Sequence, residues 1–264
     1  MGSPTAVTAR LVSGAGAVRV TLTYAVALAG VSLTLTALGR HAREVAVSRM
    51  STNLHNLAHG RVATLVGSAF LDSGGAVVVW LPGLVCLLAL GELAWRGRGV
   101  LLAFVVGHVG ATLIVAAGLV AAVETRWLPG SVAHASDVGI SYGAVGVLGA
   151  LTAAIPSHRR AAWAGWWIGA AVAAAPAAGF TGVGHIVALL LGICLSARLP
   201  AMTRWTAPRV ALLAVGAVFG FCVVAGPSVA APVAALAGAV CAGLAGKAVT
   251  HSRWRSRTRA GAAR

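Results

Sequence analysis

Long uncharged apolar runs, separated by short polar or basic connections, dominate the pattern of this sequence. A membrane-crossing α-helix needs about 20 consecutive apolar residues. The runs that approach this length, and that we predict to be spans, are 20–38, 76–95, 99–123, 139–155, 161–178, 183–199, 208–226 and 228–248. The pattern therefore predicts an all-α membrane protein whose helices pack against one another inside the bilayer.

The segment 50–71 is ambiguous because polar side chains interrupt its apolar pattern. These side chains are Asn53, His55, Asn56, His59 and Arg61. As a span, the segment would give nine helices with the N-terminus outside. As an amphipathic segment on the membrane surface, it would give eight helices with both termini inside. The polar content favours the surface position, whereas Arg40, Arg43 and Arg49 favour the span, because the surface position leaves them outside.

Composition agrees with the membrane class. Charged residues make up 9% of the chain and the mean hydropathy is +0.90, whereas soluble domains carry roughly 25% charged residues. Most of the net charge of +15 lies in the connections and in the tail "HSRWRSRTRAGAAR". Basic residues beside a membrane helix hold it on the cytoplasmic side, which explains the tail better than nucleic-acid binding does.

The basic connections fix an expected orientation. The connections 95–99, 157–160 and 197–209 are predicted to be cytoplasmic, so the helices that start near Gly139 and Val183 begin at the outer face. We expect a multi-pass protein of a bacterial inner membrane whose site opens outward, in contact with lipid. The predicted organisation is a cytoplasmic segment 1–19, a core 20–199, two further helices within 208–248, and a basic cytoplasmic tail 249–264. The oligomeric state stays open.

Ser141 and His185 are the candidate catalytic residues, because both lie near the outer ends of predicted helices. A serine hydroxyl becomes a good nucleophile when a neighbouring imidazole removes its proton. A histidine within a span is itself a functional hint, since ionisable groups in a membrane are costly. The alternative is that Ser141 bonds a backbone carbonyl and the glycines around it serve helix packing.

The surrounding residues carry a resemblance to a known family. Gly139, Ser141, Gly146, Leu148, Gly149 and Ala150 follow the pattern GxSGxxxGLxGA within one residue. His185, Ala188 and Gly192 follow HxxGxxxG with alanine for the first glycine, and Glu92 in "ELAWRGRG" is similar to ExxxGSxR. Over residues 60–199 the sequence resembles the rhomboid intramembrane serine proteases, most of all an actinobacterial rhomboid-like subgroup.

The resemblance implies a rhomboid-like six-helix core plus two extra C-terminal transmembrane helices, with 50–71 on the membrane surface. It implies that Ser141 attacks a transmembrane or membrane-proximal peptide bond of a substrate protein, and that His185 acts as general base and then general acid. Structural roles are implied for Glu92, Gly146, Gly149, Ala188 and Gly192.

Three departures favour a different outcome. Tyr142 stands where active rhomboids carry glycine, and Val145 stands where an aromatic residue often stacks on the histidine. Val77 and Leu81 replace the HxxxN pair that helps to stabilise the oxyanion, a loss of about 10²–10³ in rate per donor. The alternative function is a catalytically inactive rhomboid-like protein that binds transmembrane segments of client proteins. Gly139, Tyr142, Gly143 and His108 are the candidates for shaping the site or holding an oxyanion.

Neither a metal nor a cofactor is expected. The four cysteines form no CxxC pair, so a metal or disulfide framework is not indicated. His55 and His59 are one helical turn apart, a spacing that can bind zinc, but the sequence offers no third ligand nearby. The ring of His108 is expected to bond a serine or threonine, such as Thr112 on the next turn, or to shape the site.

Overall fold

The structure is a computed structural model that describes residues 16–72, 77–135, 138 and 140–262. Residues 1–15 of the predicted N-terminal segment lie outside this part of the chain. The described residues form helices and turns without a β-strand, which confirms the all-α prediction. The helices are α1 Arg19–Leu38, α2 Arg40–Met50, α3 Leu54–Ala58, α4 Thr64–Gly67, α5 Val77–Val105, α6 Ala111–Glu124, α7 Ile140–Ala150, α8 Arg160–Ser196, α9 Ala207–Ala225 and α10 Ala231–Ala262. Short 3₁₀ turns cover Ser68–Phe70, Gly130–His134, Leu151–Ala153 and Ser157–Arg159, and a π-helical turn, Val106–Gly110, joins α5 to α6.

Helices α5 and α8 are each broken by one non-helical residue, Arg96 (φ 62°) in α5 and Gly179 (φ 58°) in α8. A Cβ atom added to Gly91 would lie 3.1 Å from Val100 Cγ2, although a straight helix would separate these positions by about 13 Å. A Cβ atom added to Gly182 would lie 2.7 Å from Ala175 Cα. The chain therefore reverses at both breaks, and each helix is a hairpin of two arms.

Five described helical stretches are long and apolar enough to cross a membrane: Arg19–Leu38, Val79–Glu124, Ser157–Ser196, Ala207–Ala225 and Ala231–Ala248. The stretch Ile140–Ala153 is apolar but shorter. Large apolar side chains such as Val79, Val218 and Val233 are exposed on the outside of the bundle. This is the surface of a multi-pass membrane protein, and these side chains contact the lipid bilayer.

The ambiguous segment 50–71 is divided into α3, α4 and one 3₁₀ turn, and none of these pieces is long enough to cross a membrane. Asn53 caps α3, since its side chain accepts a hydrogen bond from the N–H of Asn56 at 2.9 Å. Upstream, the Arg43 guanidinium in α2 donates to the carbonyl of Asp72 at 3.3 Å. The segment therefore forms no span of its own, and its later part packs against the early turns of α1, where the Tyr24 hydroxyl donates to the Ala69 carbonyl.

Glu92 holds α1 to α5 and is buried, with 3% of its surface exposed. Its carboxylate accepts from the N–H of Val20 at 3.0 Å and from the N–H of Thr21 at 2.8 Å. The Thr21 hydroxyl donates to it at 2.8 Å. The first turn of a helix has N–H groups without a partner inside the helix, and it lies at the positive end of the helix dipole. The Glu92 carboxylate bonds these N–H groups and therefore caps α1 from a neighbouring helix.

Candidate functional site

Helix α7 forms the floor of the candidate site and lies at the centre of the bundle. Every residue from Tyr142 to Ala150 is buried, while Ser141 is half-buried in the first turn of the helix. The helix contacts α5, both α8 and α9, and the π-helical turn. The predicted site residue Gly139 lies outside the described residues.

Small residues allow α7 to approach its neighbours closely, in the way the sequence suggests. A Cβ atom added to Gly146 would lie 3.0 Å from the Ala103 carbonyl oxygen, and one added to Gly149 would lie 3.2 Å from Gly192 Cα. Ala188 is fully buried. Backbone therefore rests on backbone at these contacts, which is how glycine-rich membrane helices associate.

Tyr142 is the residue of α7 that contacts His185 of α8. The two rings meet edge to face, with centroids 5.6 Å apart and planes at 87°. The Tyr142 ring lies directly over Gly184, where any side chain would clash with it. His185 is 7% exposed, and its Nε2 atom has no hydrogen-bond partner among the described residues.

Ser141 faces a different neighbour. It lines a cavity of about 340 Å³ together with Trp80 of α5 and with Phe219, Cys222 and Val223 of α9. Leu148, two helical turns further along α7, contacts α9 at Gly220. Since successive helical residues are rotated by about 100°, Ser141 points towards α9, and the next residue, Tyr142, points towards His185. The Ser141 hydroxyl is therefore not bonded to Nε2 of His185.

The Ser141 cavity is mostly apolar. Apart from Ser141 and Asp72, the described residues that line the cavity are apolar side chains and Cys222. Val77 is 2% exposed and supplies no hydrogen-bond donor. At Gly143 the Phe104 ring packs so closely that a side chain there would overlap it. The described side chains of this cavity can hold an apolar group more readily than a developing oxyanion.

His108 anchors the short segment α4 to the bundle. Its Nε2 atom lies 2.9 Å from the Leu65 carbonyl oxygen and 3.2 Å from the Ser68 hydroxyl, and the side chain is 2% exposed. The sequence predicts a serine or threonine as the partner, with Thr112 as an example; the partner is a serine, Ser68, which lies outside the helix that carries His108. Nothing in the local sequence singles out Ser68.

Three histidines cluster outside the membrane-spanning helices. The ring centroid of His55 is 4.3 Å from that of His59 and 4.8 Å from that of His134, with the rings of His55 and His134 stacked. The sequence gives no sign of His134, which comes from the Gly130–His134 turn. Within the described residues, no group of three ligating side chains has an arrangement that could hold a metal ion.

Comparison with known proteins adds the family. A family model described as "Rhomboid-like protein" matches residues 17–204, which is more than two thirds of the 264 residues. No curated protein and no solved structure matches the chain. The match ends before α9 begins, so α9 and α10 follow the matched part. Residues 17–204 contain the α5, α7 and α8 packing described above, and the chain therefore belongs to the rhomboid-like family.

Proposed function

We propose that this chain is a rhomboid-like protein that binds transmembrane segments of client proteins without cleaving them. The observation that carries this proposal is the rotation of α7, which presents the Tyr142 ring to His185 and turns Ser141 towards α9. A serine hydroxyl needs a base within hydrogen-bond reach, about 3 Å, to act as a nucleophile.

The packing of α7 opposes a rotation that would bring the hydroxyl to the imidazole. Gly146 and Gly149 contact the backbones of the π-helical turn and of α8. A turn of about 100° would replace these glycines with larger side chains at the same contacts, which overpacks the interface. Tyr142 would also have to leave its position over Gly184.

Client binding is supported by the setting of the cavity. It is mostly apolar, it lies between membrane helices, and lipid-facing side chains surround the bundle. The backbone N–H and C=O groups of a transmembrane helix are hydrogen-bonded within that helix. Such a helix can therefore enter an apolar groove without a desolvation penalty. Transmembrane segments are therefore the ligand class that this site suits.

A second candidate function is intramembrane proteolysis by Ser141 and His185, as the resemblance implies. It is favoured by one observation, the buried Nε2 of His185 that has no hydrogen-bond partner in the described part of the chain. Ionisable groups inside membranes are usually functional. In this mechanism Ser141 attacks the peptide carbonyl, and His185 takes the hydroxyl proton and passes it to the leaving amine.

Fluorophosphonate labelling separates the two functions. We expect that the purified protein in detergent does not react with the probe, and that wild type and Ser141→Ala give the same background. Tyr142→Gly tests whether the ring alone blocks the reaction. Labelling of wild type that disappears in both Ser141→Ala and His185→Ala, with unchanged thermal unfolding, would overturn the non-cleaving function and establish the protease.

A further inference from the structure

Helix α9 occupies a groove that the other helices form around the Ser141 cavity. The walls of this groove are α5 and the arm of α8 before Gly179, and its floor is α7, since α9 contacts all three. Phe221 of α9 packs on the α8 wall, with its ring centroid 6.0 Å from that of Trp166. On the α5 wall, the Phe219 ring is 6.4 Å from that of Trp80.

The contacts of α9 with the groove are those of one membrane helix packed on another. A Cβ atom added to Gly216 would lie 3.0 Å from Leu87 Cα, and one added to Gly220 would lie 2.9 Å from Leu148 Cδ2. Gly83 on the α5 wall leaves room for Phe219, since an added Cβ would lie 2.9 Å from the Phe219 Cγ. Small residues at such spacings are the usual means of transmembrane helix association.

Helix α9 also forms one side of the Ser141 cavity. Phe219, Cys222 and Val223 supply the α9 side of the cavity. Val218, on another face of α9, is 66% exposed, so this helix is buried on one side alone. A second transmembrane helix can reach Ser141 through the groove once α9 has left it.

The links on both sides of α9 contain no helix, and each is bonded to the bundle: Trp95 of α5 donates to the Pro200 carbonyl at 3.2 Å, and Ser228 donates to the Ala173 carbonyl of α8 at 3.4 Å. No helix is present between Ser196 and Ala207 except a short turn, and Gly226, with φ 50°, begins the link to α10. Helix α10 is packed firmly on α8, since Gly165 and Gly238 meet backbone to backbone. A displacement of α9 would be absorbed by the non-helical residues between these two bonds and the helix, while α10 stays in place.

We propose that α9 is a built-in occupant of the client-binding groove, and that a client transmembrane helix binds by displacing it. This inference rests on the proposed function and adds the position and the control of client binding. A client can bind the molecules in which α9 has left the groove. When these are a fraction of the population, the apparent affinity for the client is reduced by that fraction. A resident helix therefore limits binding to clients that compete well with it.

A disulfide tether tests the proposal. The natural cysteines are first replaced, and the pair Leu87→Cys and Gly216→Cys is introduced. A Cβ on Gly216 would lie 3.2 Å from Leu87 Cβ, a little closer than the roughly 3.5–4.5 Å of disulfides, so α9 must move outward slightly to accept the bond. The matched control is Ala162→Cys with Gly243→Cys, with Cβ atoms 3.5 Å apart. The control links α10 to α8 and leaves α9 free.

The first readout needs no client. Ser141→Cys is added to each oxidised pair and labelled with N-ethylmaleimide and with a maleimide too bulky for the cavity. We expect the α9 tether to slow the bulky reagent at least tenfold, with N-ethylmaleimide unchanged and the control tether without effect. Equal bulky labelling with and without the α9 tether would overturn the proposal. So would a bulky reagent that fails to label even the reduced protein.

The second readout uses a synthetic peptide of about 20 leucine and alanine residues with a benzophenone group. Photo-crosslinking to the reduced protein that is lost with the α9 tether supports the proposal. Crosslinking that the tether leaves unchanged overturns it. If the labelling result holds but the peptide crosslinks to neither form, client binding is overturned while the movement of α9 stands, so the two failures are distinguishable.

A further variant tests the proposal without a disulfide, in case the α9 tether does not form. Gly216→Leu places a side chain against the Leu87 backbone and should push α9 out of the groove. We expect bulky labelling at position 141 to become several times faster than in wild type. Val218→Leu, on the lipid-exposed face of α9, is the control and should leave the rate unchanged. A Gly216→Leu rate equal to that of the control counts against the proposal.

Discussion

Glu92 is a buried carboxylate whose partners are the first-turn N–H groups and the Thr21 hydroxyl of α1. Replacing it with alanine would leave the buried N–H group of Thr21 and the partly buried N–H group of Val20 unpaired, and it would remove a charge-assisted contact. We expect Glu92→Ala to lower the free energy of unfolding by about 3 kcal/mol, measured by denaturant titration in detergent. Glu92→Gln should fall between this variant and wild type, because an amide oxygen still accepts.

Glu124 provides the matched control, since it is an exposed acid at the end of α6. Glu124→Ala should change the unfolding free energy by less than about 0.5 kcal/mol. An equal loss in both acid variants would show that the capping contact does not stabilise α1.

Gly146 is a second residue at which one added atom has a large effect. Its neighbours are the Gly107 Cα and the Ala103 carbonyl, which are backbone atoms and cannot rotate away. We expect Gly146→Ala to destabilise the protein by about 1–3 kcal/mol. Gly118→Ala is the control, because nothing lies near its added Cβ, and it should be neutral or stabilise α6 by up to about 1 kcal/mol. The measurement is again unfolding in detergent, and similar results for the two variants would contradict the packing argument.

The orientation of Ser141 shows what residue patterns leave undetermined. The spacing of Ser141, Gly149 and His185 predicts a serine and a histidine near the corresponding ends of two helices. It does not fix which way α7 is turned, and a rotation of one residue, about 100°, decides whether Ser141 or Tyr142 meets His185. That rotation is set by which glycine meets which backbone, a property of the packed bundle.

At the scale of elements, α4 and the following 3₁₀ turn depend on His108 for their position. The imidazole bonds Leu65 and Ser68, and Tyr24 of α1 donates to the Ala69 carbonyl at 2.5 Å. We expect His108→Ala to increase the hydrogen-exchange rate of residues 64–70 at least tenfold, with α7 unaffected. Thr112→Val, a buried hydroxyl that bonds nothing in the described part of the chain, is the control and should leave exchange unchanged. Unaltered protection in His108→Ala would contradict this role.

The contact between α3 and the Gly130–His134 turn should depend on pH. Desolvation, together with the positive charges of His59, His134 and Arg61, lowers the pKa of His55 below its usual 6.5. The folded chain then binds fewer protons than the unfolded chain over the interval just below this value. The contact is therefore fully stable above about pH 6.5 and weakens as the pH falls below it.

Hydrogen exchange of residues 130–134 measures this effect. After correction for intrinsic rates, we expect faster exchange at about pH 5.5 than at about pH 7.5. His55→Gln should remove the pH dependence, whereas His158→Gln, an exposed histidine in another connection, should retain it. A pH dependence that survives His55→Gln would exclude His55 as its source.

At the scale of the whole molecule, hydropathy alone predicts the membrane class, and the connections 95–99 and 179–182 predict the two reversals within α5 and α8. The contacts between distant elements were not predictable in this way. His134 joins His55 across a separation that local spacing does not encode, and α9 packs on α5 instead of on the next helix in sequence. Such contacts follow from the complementary shapes of helix faces, which a single sequence does not display.

The sequence also predicts how the bundle is oriented in the membrane. Basic residues at the connections around Arg96, Arg159 and Arg204 place these connections on the cytoplasmic side. The Gly130–His134 turn and the Ser157–Arg159 turn lie at the two ends of α7 and its 3₁₀ continuation, and Ser131 and Ser157 are both exposed. In a cysteine-free background, Ser131→Cys should react with a membrane-impermeant maleimide on intact cells. Ser157→Cys should react after the membrane is opened and not before. Because the same substitution is made at both positions, intrinsic thiol reactivity cannot account for a difference between them. The reverse pattern would place Ser141 at the cytoplasmic end, and clients would then reach the groove around α9 from the opposite leaflet.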